Sequence, residues 1–240
     1  MNFGDNNSWW EQIPPVTRNI LAVTAIVGIA DFVLGKWHID IVNWFGLYNW
    51  GWSAFHGGQS FHIWQPVTYM FLHSGFWHFF CNMFAVWMFA PVIEREWGAK
   101  KFLIYYIVCG VGAALTQELT WLASTVAYPA ATIGASGAVF GILLAFAWLF
   151  PDQKMFLLFI PIPISSRIFV LLYALFELTA GVANLSGDNI AHFAHLGGLV
   201  FGYALIKYWQ WKDKNDDKKG RFKVYDGKDF SNYHYKDPIK

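Results

Sequence analysis

Residues 132–150, TIGASGAVFGILLAFAWLF, decide how this chain reads. Gly134 and Gly137 bracket a single hydroxyl at Ser136, and the run that follows is apolar on every helical face. A helix of that kind is buried in a large core or spans a bilayer. The bulk composition favours the bilayer: 56% of residues are hydrophobic, 20% aromatic and only 14% charged, against roughly 25% charged in soluble domains. A formal net charge of +1 gives no basis for a nucleic-acid partner. Cys81 and Cys109 both lie inside apolar runs and read as small buried hydrophobes rather than as a disulfide or metal ligands. The opening MNFGDNNSWWEQIPPVTRN lacks the charged, apolar, small-residue order of a cleavable signal peptide, so the first apolar run is expected to be its own anchor.

A membrane-crossing helix needs about 20 apolar residues. Candidates occur at 19–35, 78–96, 102–123, 135–150, 167–185 and 190–209. The expected fold is therefore an all-α polytopic membrane protein with six transmembrane helices. Its layout is an N-terminal segment (1–18), a six-span domain (19–209) and a polar tail (210–240) that mixes both charge signs without an apolar period. The connector 36–77, rich in Trp, Phe and Gly, suits the headgroup region. Arg18, Arg95, Lys100, Lys101, Lys154, Arg167 and the lysines from Lys207 onward fall at alternate ends of the spans, whereas the opposite connectors hold only Lys36. Lys and Arg concentrate on the cytoplasmic side of short loops. Both termini are thus expected in the cytoplasm, and spans 2, 4 and 6 are expected to enter from the outer face.

Strongly polar groups within spans are costly and call for a partner or a task. Span 2 opens with His78 and Asn82, four residues apart on one face; span 4 opens with Ser136; span 6 opens with His192 and His195. With all three spans starting on the same side, these groups share roughly one depth. Gly198 and Gly202 follow His195 on its own face, and span 4 carries Gly137 and Gly141 beside Ser136. Small-residue grooves let helix backbones approach closely, so spans 4 and 6 are expected to pack tightly and bring Ser136 within hydrogen-bond reach of His195. A serine with an imidazole base is the minimum for nucleophilic catalysis. Attack on an amide also creates an oxyanion, for which the Ser136 backbone N–H at a helix start, the Asn82 amide and the His78 ring are candidate donors. His192 and His195 could instead be metal ligands, but spacing marks no third or fourth ligand, and no metal or cofactor is expected.

Taken in order, HSGFWHFFCN into span 2, EREWG closing it, GASG opening span 4 and AHLGGLVFG in span 6 resemble the rhomboid family of intramembrane serine proteases, over about residues 14–209. The resemblance implies Ser136 as nucleophile and His195, rather than His192, as general base. It further implies an oxyanion hole of His78, Asn82 and the Ser136 backbone, with Gly134 shaping the loop before the serine. His73 corresponds to a structural histidine that pins the first loop, and Glu94 with Gly98 to a cap on the cytoplasmic end of span 2. Family members work as a Ser–His dyad without a carboxylate, in keeping with the absence of Asp or Glu one turn from His195; Asp188 is a weak candidate third member. Gln65 stands after Trp64 where the family often has arginine, and Phe140 is the aromatic one turn after the nucleophile. The implied partners are single-span membrane protein substrates and the lipid bilayer, with cleavage near the outer end of the substrate helix. Span 5 and the following NLSGDN would form the gate, and a bacterial inner membrane is the expected location.

Rival classes leave different marks. A zinc-site protease would carry His-Glu-x-x-His, which does not occur. An aspartyl type needs two membrane aspartates, and Asp31 is the only one within a span. A transporter would commonly show an internal repeat, and none is evident. The alternative of another class is a non-catalytic rhomboid-like protein that binds client transmembrane helices, a reading that Ser136 and His195 together argue against.

Overall fold

The computed structural model describes residues 9–50, 60–123, 131–157, 160–183 and 191–217. Among them, six long helices carry the architecture: α1 (Pro15–Gly35), α4 (Phe76–Trp97), α5 (Ala99–Ala123), α6 (Ser136–Leu149), α7 (Ser166–Ala183) and α8 (His192–Asp217). Two single-turn helices, α2 (Val42–Phe45) and α3 (Gln65–Thr68), lie in the connector after α1. α1, α4, α5 and α7 are long and apolar enough to cross a membrane. α6 has 14 residues, and α8 ends in the polar run KDKNDD. Isoleucines, leucines and phenylalanines stand exposed along α1 (Ile26, Ile29, Phe32) and α7 (Leu171, Leu175, Phe176, Val182). A surface so apolar belongs against lipid.

α6 sits at the centre because its sequence offers nothing else: ten of its 14 residues are buried, from Gly137 to Ala147. α8 packs most extensively on α5 and α6, and glycines set the spacing. A Cβ at Gly198 would run into the Gly137 carbonyl oxygen, and one at Gly141 into the Cys109 sulfur. Gly202 faces α5 rather than α6, with the Tyr105 hydroxyl 2.5 Å from where its Cβ would be. That hydroxyl donates to the Gly141 carbonyl at 2.8 Å, and the fully buried Tyr69 hydroxyl donates to the Gly110 carbonyl at 2.8 Å. These bonds satisfy tyrosine hydroxyls that hydrocarbon or core would otherwise leave unpaired.

One sequence expectation changes, and two are filled in. Expected as all-α, the chain also forms an antiparallel hairpin of β1 (Lys154–Leu157) and β2 (Ile160–Ser165), pairing Lys154 with Ser165 and Met155 with Ile164. In its second strand, branched residues with proline at alternate positions favour an extended edge. Glu94 closes its own helix through its carbonyl, which accepts from Gly98 N–H at 2.8 Å, and it does more: its carboxylate accepts from Val16 N–H at 2.9 Å and from Thr17 N–H and Oγ1–H at 2.7 Å each. It thereby satisfies the free donors of the first turn of α1, whose N1 position is Pro15. Gly98 closes α4 in a positive-φ conformation (79°) that directs the chain into α5. Gln65, fully buried, makes neutral contacts where salt contacts were in question: its Oε1 accepts from Tyr48 N–H at 3.2 Å, and its Nε2 donates to the Ser60 carbonyl at 3.2 Å.

Candidate active site

Ser136 is the first residue of α6, so its backbone N–H belongs to the turn that has no intrahelical acceptor. The preceding Gly134 has φ 128°, a conformation suited to glycine, and its N–H donates to the Tyr69 carbonyl at 2.9 Å. A Cβ at Gly134 would lie 2.7 Å from the His78 ring, so the glycine makes room for that imidazole beside the serine loop. From the first turn of α8, His195 reaches back, and its Nε2 lies 2.7 Å from Ser136 Oγ. Phe140, one turn into α6, stacks on the His195 ring at 4.6 Å between centroids and 12° between planes, with Tyr173 of α7 stacked on Phe140 in turn at 4.9 Å.

The His78 tautomer follows from its partners. Ser74 N–H points at His78 Nδ1 at 3.3 Å, so Nδ1 accepts and the proton sits on Nε2, the nitrogen that faces Gly134. That places a ring N–H donor beside the serine loop. Asn82, also buried, is one turn further along α4, where its Nδ2 donates to the His78 carbonyl at 2.8 Å. The amide is thus engaged with its own helix rather than with Ser136 in this structure. His73 packs edge-on against His78 at 5.0 Å and against Phe79 at 5.6 Å. Burial, with His78 alongside, lowers its pKa to about 4, so the ring is neutral near pH 7. Gly198 lies against Gly137, holding α8 at the distance that the Ser136–His195 contact requires.

The expectation that no carboxylate attends His195 does not hold. Glu177 of α7, 4% exposed, places Oε2 3.0 Å from His195 Nδ1 and 2.7 Å from His192 Nδ1. No Asp or Glu stands one turn from His195 along span 6 itself. A glutamate within span 5, in YALFELTAG, was itself the signal, since an ionisable residue at that depth demands partners. His192 and His195, at i and i+3, present their rings on one face and supply two. Glu177, His192 and His195 also form a third-ligand grouping that spacing had not marked, with ligand atoms all within 4.8 Å of one another. Their arrangement is that of hydrogen bonding, with one carboxylate oxygen shared by two ring nitrogens. Asp188 and NLSGDN lie outside the described residues.

Comparison with known proteins gives the family. The rhomboid domain model matches residues 60–211. The mitochondrial rhomboid protein 1 of Saccharomyces cerevisiae is 29% identical over 202 residues, 80% of this chain and 56% of its own length. The rhomboid protease GluP of Bacillus subtilis is 33% identical over 141 residues, 58% of this chain and 25% of its own. The rhomboid protease GlpG of Yersinia pestis is 24% identical over 206 residues, 84% of this chain and 65% of its own. The chain spans less than two thirds of the length of each of these relatives. Apolar helices of crossing length and a domain match over more than half the chain make it an integral membrane protein that belongs to the rhomboid family.

Proposed function

We propose that this protein is an intramembrane serine endopeptidase that cleaves single-span membrane proteins near the outer end of their transmembrane segment. The observation that carries the reading is the 2.7 Å contact between Ser136 Oγ and His195 Nε2, made between the starts of two helices that glycines hold together. Ser136 attacks the scissile carbonyl carbon while its proton passes to His195 Nε2; the same proton then leaves with the amine nitrogen, and water hydrolyses the acyl-enzyme. The oxyanion forms where the Ser136 N–H and the His78 Nε2–H can both reach it. Asn82 joins them on turning its amide away from the His78 carbonyl, in line with catalytic hydrogen bonds that tighten only in the substrate complex. Phe140 holds the imidazole plane.

In this reading residues 19–209 form a six-span protease domain between cytoplasmic termini, 1–18 and 210–240. α6 rises about 21 Å, short of the roughly 30 Å hydrocarbon core, which sets Ser136 below the membrane surface in a cavity that must admit water. Relatives named from mitochondria and from bacteria both match, so the similarity favours neither organelle nor bacterial inner membrane. The test is cleavage of a generic single-span reporter by purified protein in liposomes. The expected outcome is cleavage by wild type and loss in folded Ser136→Ala and His195→Ala. Equal cleavage by all three would refute the assignment, and no cleavage by wild type across a panel of reporters would favour a client-binding, non-catalytic rhomboid-like protein.

A further inference from the structure

We infer that Glu177 is a positioning residue for His195, so that the catalytic pair works here with a third, carboxylate member supplied by α7. The inference rests on the proposed roles of Ser136 and His195.

An ionised carboxylate only accepts hydrogen bonds. Glu177 Oε2, at 3.0 Å from His195 Nδ1, therefore requires the ring proton on Nδ1. That leaves the Nε2 lone pair facing Ser136 Oγ at 2.7 Å, the tautomer a general base needs. As the bond from Ser136 Oγ to the carbonyl carbon forms, the π pair moves onto the carbonyl oxygen and the hydroxyl proton moves to Nε2. His195 becomes an imidazolium whose Nδ1–H stays on nitrogen and faces the negative charge of Glu177. The proton then passes from Nε2 to the departing amine as the C–N bond breaks. The carboxylate is present before the reaction and costs no reorganisation during it.

A purely structural role explains less. Tying α7 to α8 needs one bond, and His192 already supplies it at 2.7 Å from the same oxygen. A second imidazole, the one that also touches Ser136, goes beyond what helix anchoring requires. His192, bound to the same Oε2, fixes where the carboxylate points, as outer partners do for ligating histidines.

Two measurements on the full-length protein decide the matter. In steady-state cleavage of a single-span reporter in liposomes, Glu177→Gln keeps the shape and removes the charge. The expected result is a kcat lower by about 10²-fold with KM within about twofold of wild type. A helix-packing role would instead lower thermal stability and move both constants. In ¹⁵N-histidine-labelled wild type in detergent, a proton on His195 Nδ1 is expected, with a low-field hydrogen-bonded resonance that vanishes in His195→Ala. A kcat within twofold of wild type in folded Glu177→Gln, or a His195 proton residing on Nε2 in wild type, would overturn the inference. If Glu177→Gln does not fold, the wild-type tautomer decides. If wild type cleaves no reporter, the protease reading falls while the tautomer still tests Glu177.

Discussion

α6 and α7 are consecutive long helices that meet α8 in opposite ways. α6 is buried along nearly its whole length, and its contact with α8 is backbone against backbone at Gly137 and Gly198. α7 buries only Ser166, Val170, Glu177 and Ala180 and turns a row of leucines and Phe176 outward. Its contact with the start of α8 is polar, through Glu177 to His192 and His195. Close packing gives α6 a fixed position that leaves Ser136 little freedom. A polar tether on a helix with so few buried residues ties α7 to α8 through two imidazoles rather than through close packing. The difference separates residues that should govern stability from those that should govern turnover.

The largest effect is expected from crowding the α6–α8 contact. Gly198→Val should cost about 3 kcal/mol or more, because the new side chain meets the Gly137 backbone rather than a flexible neighbour. Thermal unfolding in detergent checks this; an unchanged midpoint would mean that the two helices are not in close contact.

Acid probes the loop beside the serine instead, where His73 packs against His78. His73 is buried and neutral, with its pKa lowered from 6.5 to about 4. Between those values the unfolded chain binds a proton that the folded chain does not, so stability falls as pH drops from 6.5 toward 4 and is unaffected by this group above 6.5. The full effect is about 3 kcal/mol at pH 4. His73→Phe should flatten that part of the stability–pH curve, and a curve parallel to wild type would place the acid sensitivity elsewhere.

The smallest effect belongs on α7. Leu175 is 54% exposed, and Leu175→Ala should change stability by no more than about 0.5 kcal/mol. A loss comparable to that of Gly198→Val would show α7 to be as tightly packed as α6, and the contrast would collapse.

The same contrast explains which parts of the site could be read from the sequence. Ser136, His78 and His195 stand within a turn of three helix starts, so spacing and topology suffice to bring them to one depth, and the Gly198 groove signals the close approach. Glu177 lies 18 residues before His195 across a connection, and no local period links them. Its signal was chemical: a carboxylate within an apolar span. Glu94 was legible as a structural residue but not as a cap on α1, because its partners Val16 and Thr17 lie almost 80 positions earlier. Asn82 shares a face with His78, as i and i+4 require, yet the sequence could not show that its amide bonds the backbone of its own helix. The 154–165 hairpin was hidden because a short apolar run with prolines looks alike in a strand and in a connector.

The central claim is that the hydroxyl opening α6 is an activated nucleophile. Its most direct test is labelling of the purified protein by a serine-directed phosphonate, with the modified residue located by peptide mapping. Labelling is expected at Ser136 and should disappear in folded His195→Ala. Labelling of Ser136 at equal rates with and without His195, or at other serines alone, would contradict it.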